Sequence, residues 1–282
     1  MTPRHLWSLC TESIQRWNDD YAQSMGAALA YYAMFSIAPL LLIVISLTGI
    51  FFGPEAIRGE IFAQLRGLMG DDGALAVQQL LESVSQPEKS LLATLVGAIV
   101  LVIGATTVFG ELQDDLDRIW KVPARGKEAG LWRLIRSRIL SFGMILGIGF
   151  LLLVSLIFNA VLAALSKWWA PIFGEWASVA SVSNFIISFL MVTAMFALIY
   201  KFMPRAKILW SDVIVGSLVT ALLFTIGKTL IGIYLGESGV ASGYGTAGSL
   251  IALLIWVYYS AQIFLMGAEF TKIYAERHGS MK

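Results

Sequence analysis

A chain of 282 residues that is 57% hydrophobic and only 14% charged is too apolar for a soluble globular domain. Its formal net charge of +1 gives no bulk electrostatic reason to bind nucleic acid or an acidic substrate. The single cysteine, Cys10, excludes an intramolecular disulfide, and His5 and His278 stand in the tails, which excludes a histidine-built metal site in the apolar body.

In chain order, residues 1–21 place Leu6, Leu9, Cys10, Ile14, Trp17 and Tyr21 at helical spacing. That pattern predicts an amphipathic helix at a membrane surface, with docking on a soluble partner as the alternative. Arg16, Asp19 and Asp20 interrupt any apolar core, so no cleavable signal peptide is expected and the first apolar run serves as its own insertion signal.

Six charge-poor windows follow, and about 20 helical residues cross a hydrocarbon layer. There are 34 uncharged residues between Asp20 and Glu55, 21 between Lys89 and Glu111, 28 between Arg138 and Lys167, and 25 between Glu175 and Lys201. The fifth window, Val213–Gly236, is interrupted only by Lys228, and the sixth has 31 uncharged residues between Glu237 and Glu269. The prediction is an all-α, polytopic membrane protein in one membrane domain over 1–282, with six transmembrane helices at about 27–53, 90–110, 139–166, 176–200, 213–235 and 245–268. Continuous apolar runs exclude a membrane β-barrel, whose strands alternate. The segments on one side (N-tail, 111–138, 201–212 and C-tail) carry 15 Lys/Arg against 4 on the other, so both termini are expected in the cytoplasm.

The longest outer loop, 54–89, is expected to hold two amphipathic helices, one marked by Ile57, Ile61, Leu65 and Leu68, the other by Leu75, Leu80, Leu81 and Val84. Asp71-Asp72-Gly73 would turn between them. They either cap the outer mouth of a cavity or rest on the membrane surface.

Within the spans, Pro39 removes a backbone donor, which produces either a packing kink or a break of the kind that lines transporter sites. Gly143 and Gly147 allow close helix approach. The run Glu111–Arg118 could suggest a metal site, but Asp114–Arg118 and Asp117–Lys121 are favourable i,i+4 pairs beside an apolar stripe, so a solvated helical extension is expected. Lys228 lies about 15 residues, roughly 22 Å, beyond Val213. A charge at that depth costs roughly 2.5–3.5 kcal/mol, and no carboxylate in the spans is level with it. Counting each span to the same depth brings Asn159 and Asn184 alongside. Lys228 is either held there by amide and backbone oxygens or serves a polar pathway.

The segments Tyr244-Gly245-Thr246-Ala247-Gly248-Ser249, Leu254–Gln262 and Gly267-Ala268-Glu269-Phe270-Thr271 resemble the YihY/BrkB family of bacterial inner-membrane proteins. Ala28–Tyr32 with Ser36 and Pro39, and Leu116-Asp117-Arg118-Ile119-Trp120, are similar to two further motifs of that family, in the same order. The resemblance covers essentially the whole chain. It implies six spans and a bacterial plasma membrane; the family once carried the label ribonuclease BN, and other members are associated with serum resistance and lipopolysaccharide export.

From residues and resemblance together, the expected function is transport or flipping of a lipid or other envelope component. Lys228, Glu269, Tyr31, Tyr32, Pro39, Asn159, Asn184 and Gln262 are the candidate pathway: Lys228 meets an anionic group, Pro39 breaks the first span, and tyrosines and amides line the route. Membrane lipids are the expected partners. No catalytic residue, metal, cofactor or nucleic acid is expected, and oligomeric state is left open. The alternatives are a non-transporting scaffold, or a membrane enzyme in line with the ribonuclease label. An enzyme needs a reactive cluster that the sequence does not display.

Overall fold

The computed structural model describes residues 3–84, 91–123, 143, 147, 176–237, 244 and 247–281. Seven long helices are described: α1 (Pro3–Asp19), α2 (Ala22–Phe52), α3 (Pro54–Val84), α4 (Leu91–Ile119), α5 (Trp176–Phe202), α6 (Trp210–Glu237) and α7 (Gly248–Arg277). Four of them, α2, α5, α6 and α7, contain stretches long and apolar enough to cross a membrane. The all-helical character of an integral membrane protein is therefore evident among the described residues. The expected span at 90–110 overlaps α4 from Leu91 onward, while that at 139–166 lies outside the described residues except for Gly143 and Gly147.

The bundle is organised on the antiparallel pair α6–α7, and small residues set its register. A Cβ on Gly216 would stand 1.9 Å from Thr271 Oγ1, and one on Gly267 would stand 2.0 Å from Thr220 Oγ1. Two turns further along, Gly227 admits Ile263 and Tyr259 of α7. Close backbone approach of this kind drives helix association where lipid removes the hydrophobic advantage of burial. Both threonine hydroxyls are satisfied on their own helices: Thr220 Oγ1 donates to Gly216 O at 2.8 Å and Thr271 Oγ1 to Gly267 O at 2.6 Å. Tyr200 of α5 completes the joint. Its fully buried hydroxyl donates to Phe264 O at 2.7 Å and lies against Thr220 Oγ1 at 3.1 Å. Phe196, stacked on Tyr200 and edge-on to Phe224, extends the same core.

On the other side of α7 lies α2, where Gly26 receives the Gln262 side chain. Pro39 lies inside α2, which continues to Phe52, so the expected break is absent. The reason is the neighbouring helix: Gly104 of α4 lets that helix close onto the Pro39 ring and the Phe35 carbonyl, the acceptor that proline leaves without its usual donor.

The turn in 54–84 and the solvation of the acidic run differ from expectation. The two helices of 54–84 join at Gly70 (φ 77°), ahead of Asp71-Asp72-Gly73, because only glycine takes that backbone conformation without a Cβ penalty. They pack on the bundle, where Ala76 and Val77 are buried with Leu41 of α2 and Leu253 of α7. The acidic end of α4 is not solvated throughout. Gln113, Asp115 and Asp117 are buried. Asp117 accepts from the Arg205 amide at 2.7 Å and pairs with Arg205 Nε at 3.3 Å, and Gln113 Nε2 donates to Met203 O at 2.8 Å. The partners come from the α5–α6 turn, close to ninety residues away, where i,i+4 counting cannot find them.

Helix α1 folds back along the C-terminal half of α7. Leu9 is buried against Phe270 and Ile273, and Arg16 pairs with Glu276 at 2.7 Å while Arg277 pairs with Glu12. Trp7, Cys10, Ile14 and Tyr21 remain exposed along the opposite side, an apolar stripe suited to a membrane surface.

Candidate functional site

Gln262, Glu269 and Glu276 stand seven residues apart on α7 and so share one stripe of the helix. Each faces the folded-back N-terminal segment: Gln262 meets Gly26, Glu269 meets Asp20, and Glu276 meets Arg16. Lys272, one turn beyond Glu269, lies within the field of Glu269, Glu276, Arg16 and Lys121. The result is a polar seam between α7, the α1–α2 elbow and the end of α4.

The two elbows are backbone outliers. Tyr21 (φ 56°) joins α1 to α2, and Lys121 (φ 48°) ends α4. Left-handed conformations cost a non-glycine residue roughly 1–2 kcal/mol, and such strain concentrates at functional sites.

The seam is buried among the described residues. Glu269 is 0% and Lys272 3% exposed. The Lys272 ammonium, the Gln262 amide and the indole N–H groups of Trp17 and Trp120 are buried with no hydrogen-bond partner among the described residues. Asp20 and Glu269 share a side-chain hydrogen bond, which requires that one of the two carboxyls carry the proton and donate it. A buried polar group left unpaired costs about 1–3 kcal/mol, and more when charged. These groups are strung along about 15 Å of α7 where it meets the α1–α2 elbow and the end of α4. The chemistry of the seam is amphoteric: Lys272, the indoles and the amide nitrogen donate, while Glu269, Asp20 and the amide oxygen accept.

Beside the seam, the α6–α7 face holds a cleft of about 300 Å³. Leu223, Gly227 and Leu230 form one wall, Tyr259, Gln262 and Met266 the other, and Trp17 lies at one end. Its lining is largely apolar, with Gln262, Trp17 and Tyr259 as the residues that carry polar atoms, and Gln262 and Trp17 also belong to the seam.

At the end of α4, the Asp115 carboxyl is pushed up to about 7, first by burial and then by the neighbouring charge of Glu111, with Arg118 opposing. Glu111 is itself raised, again mainly by burial. Among the described residues no three metal-ligating side chains converge.

Of the residues singled out in the sequence, Gln262 and Glu269 belong to the seam. Lys228 does not. It is half-buried on α6 beside Gly227, is not part of the cleft wall, and has no ion pair with any described residue. Tyr31 and Tyr32 lie five and six residues after Gly26, on the side of α2 turned away from Gln262; Tyr31 is exposed and edge-on to Tyr32 and Phe35. Pro39 packs on α4. Contacts Tyr200–Thr220 and Phe196–Phe224 fix the α5–α6 register, which puts Val192, not Asn184, level with Lys228. Asn184 lies eight residues, roughly 12 Å, further along α5, and its side chain is outside the described set. Asn159 lies outside the described residues. Sequence reasoning missed Arg16, Trp17, Asp20, Gly26 and Lys272. The seven-residue spacing of Gln262, Glu269 and Glu276 was the available signal for the α7 side; nothing local announces the partners.

The sequence profile of the family described as Virulence factor BrkB matches residues 13–282. The chain is 28% identical over 259 residues to a UPF0761 membrane protein of Pseudomonas paraeruginosa, covering 90% of this chain and 59% of that protein. It is 28% identical over 270 residues to a UPF0761 membrane protein of Vibrio atlanticus, covering 94% and 81%, and 27% identical over 266 residues to one of Cronobacter sakazakii, covering 91% and 84%. The chain thus spans little more than half the length of the Pseudomonas relative. No solved structure matches it.

Proposed function

The chain belongs to the virulence factor BrkB family, and from that premise we propose that it moves a lipid or another amphipathic envelope component across the bacterial inner membrane. In this reading it is a six-span protein with both termini in the cytoplasm, as the basic-residue bias favours. The observation that carries the proposal is the seam: Gln262, Glu269 and Lys272 of α7, with Trp17 and Trp120, bury polar atoms together at one end of helices long and apolar enough to cross a membrane. Ionisable and amide groups are retained at such positions where a polar solute passes or binds. The cleft on its flank supplies the apolar surface that a substrate with a hydrocarbon part requires.

Lys228 has a secondary role here, as a positive charge on α6 in the outer half of the bilayer that attracts an anionic headgroup. Lys228→Arg should then keep part of the transport, and Lys228→Met should lose it while remaining folded and inserted. Full transport in Lys228→Met removes that role and leaves the seam.

The test is identification of lipids that co-purify with wild type and with Glu269→Gln in mild detergent. Stoichiometric retention of one lipid class by wild type, lost in the variant, is the expected outcome. Equal and non-selective lipid in both points to a scaffold without a substrate.

A further inference from the structure

Glu269 is fully buried on α7, and its hydrogen-bond partner is another carboxyl, Asp20 of the α1–α2 elbow. The cations nearby do not fill that place. Arg16 of α1 is taken up by Glu12 at 2.8 Å and by Glu276 at 2.7 Å. Lys272, three residues further along α7 and 3% exposed, lies in the field of Glu269 and Glu276 but has no ion pair or hydrogen bond among the described residues. Lys121, at the left-handed end of α4, is exposed and acts on Lys272 by repulsion. Helix α6 meets this stretch of α7 with uncharged residues, Gly216 against Thr271 and Thr220 against Gly267.

Two carboxyls in one hydrogen bond hold a proton between them, and a pair that has lost it is two negative charges in contact. With the proton, the pair ties the elbow to α7; without it, the two sides repel. An ionised Glu269 then has a second partner at hand. Glu269 and Lys272 stand three apart on one helix, a spacing at which a carboxylate and the lysine that follows it can meet. Asp20 is partly exposed, so it can be left to water, and it is the route by which a proton reaches a carboxyl that is itself shut off from solvent. A hinge stands beside the pair: Tyr21 holds φ 56°, so α1 joins α2 through a strained residue and not through a continuous helix. The closed arrangement binds one more proton than the open one, so it is favoured as pH falls and lost as pH rises.

We propose that Asp20 and Glu269 form a proton-binding latch: with one proton shared between them the α1–α2 elbow is closed on α7, and on its loss Glu269 turns to Lys272 and the elbow lifts. The ligand is the proton itself. The two partners of Glu269, a carboxyl on the elbow and an ammonium on its own helix, define the two states. The far end of α1 stays in place, because Leu9 is packed on Phe270 and Ile273 and Glu12 pairs with Arg277. What moves is the segment from Trp17 to Tyr21, whose departure opens Glu269 and Lys272 to water. The latch stands on the geometry of the seam and holds whether or not a lipid passes there.

The experiment uses the full chain in lipid nanodiscs, with Cys10→Ser removing the native thiol. Spin labels are placed at Asn18→Cys, exposed beside the elbow, and at Leu209→Cys, 58% exposed in the α5–α6 turn. Distances between them are measured by pulsed electron resonance from mildly acid to mildly alkaline buffer, with helical content checked on each sample. The lifted population should grow at least about tenfold across that range in the labelled parent. Glu269→Gln, whose amide can donate to Asp20 at every pH, should keep the elbow closed, and Asp20→Asn should do the same. Lys272→Gln deprives the ionised Glu269 of its second partner and should move the transition to higher pH. Infrared spectra of unlabelled protein read the proton itself. With Asp115→Asn removing another buried carboxyl that holds a proton, a protonated-carboxyl band should titrate together with the elbow and be lost in Glu269→Gln. A distance that ignores pH, a pH response that persists in both Glu269→Gln and Asp20→Asn, or a band that Glu269→Gln leaves unchanged overturns the latch. Lipid movement measured on the same samples separates the latch from the function proposed above. Movement by a protein whose elbow ignores pH rejects the latch and keeps transport; an elbow that responds in protein that moves no lipid keeps the latch and rejects transport.

Discussion

Replacing Gly267 by alanine tests the α6–α7 register on which both seam and cleft depend. The new Cβ would lie 2.0 Å from Thr220 Oγ1, 2.8 Å from Thr220 Cγ2 and 2.6 Å from the Tyr200 hydroxyl. Carbon contacts are comfortable near 3.5–4 Å, so the helices or side chains must yield by more than about 1 Å. Overpacking of this kind costs about 1–3 kcal/mol. Thr220→Ala alone removes a methyl, roughly 0.8 kcal/mol, and a membrane hydrogen bond averaging about 0.6 kcal/mol, for a loss of about 1–1.5 kcal/mol. In the double variant the methyl added at Gly267 occupies the space that the Thr220 side chain vacates, leaving only the Tyr200 hydroxyl to adjust. The pair should therefore be strongly non-additive, with the double variant costing no more than about 1.5 kcal/mol and an interaction energy of about 1–3 kcal/mol in its favour. Unfolding of purified protein in mixed micelles, followed by tryptophan fluorescence or helical signal, supplies all four corners of the cycle. Additivity to within about 0.5 kcal/mol means that Gly267 and Thr220 are not in contact, and the register is wrong.

Three further outcomes follow from the same geometry. Asp115, ordinarily ionised above about 4, holds its proton in the folded protein up to about 7; the folded state binds more protons across that window, so stability should fall as pH rises through it. Asp115→Asn should flatten that slope and melt higher than wild type at a pH of about 8, and a lower midpoint there contradicts the burial of this carboxyl. Leu9→Ala should cost about 2–5 kcal/mol as a buried cavity on the α1–α7 joint, whereas Arg16→Ala, a partly exposed ion pair, should cost no more than about 1 kcal/mol; comparable losses in thermal denaturation would mean that charge, not packing, holds α1. Alkaline phosphatase fused after Lys89 should be active and fused after Lys207 or at the C-terminus inactive, and an active C-terminal fusion reverses the orientation.

Much of the bundle is legible in the sequence because membrane helices announce themselves by length and apolarity, and Gln262 and Glu269 are visible as polar residues in or at the end of an apolar run. The seam itself is not. Asp20 and Trp17 read as the end of a surface helix, and only the left-handed turn at Tyr21 folds them over α7. Lys272 reads as a tail charge, although it is buried one turn from Glu269. Lys228 draws the eye because it is charged in the middle of a span, but charge within a run says nothing about which side of the helix it occupies. The acidic run at 111–118 misleads for the opposite reason: its local pairs are plausible, and its real partner, Arg205, is distant in sequence. Pro39 predicts a defect that the neighbouring Gly104 absorbs. In each case the missing information is tertiary, carried by which faces meet.

The seam's role is measured most directly by transbilayer movement of fluorescent phospholipid in proteoliposomes, with wild type beside Glu269→Gln and a folding control such as Leu218→Ala. Wild type and the control should give protein-dependent movement, and Glu269→Gln should lose at least about tenfold of it, roughly 1.4 kcal/mol of barrier, with secondary structure and insertion retained. Equal rates in wild type and Glu269→Gln, or no movement above protein-free vesicles in any sample, contradict a substrate route through the seam.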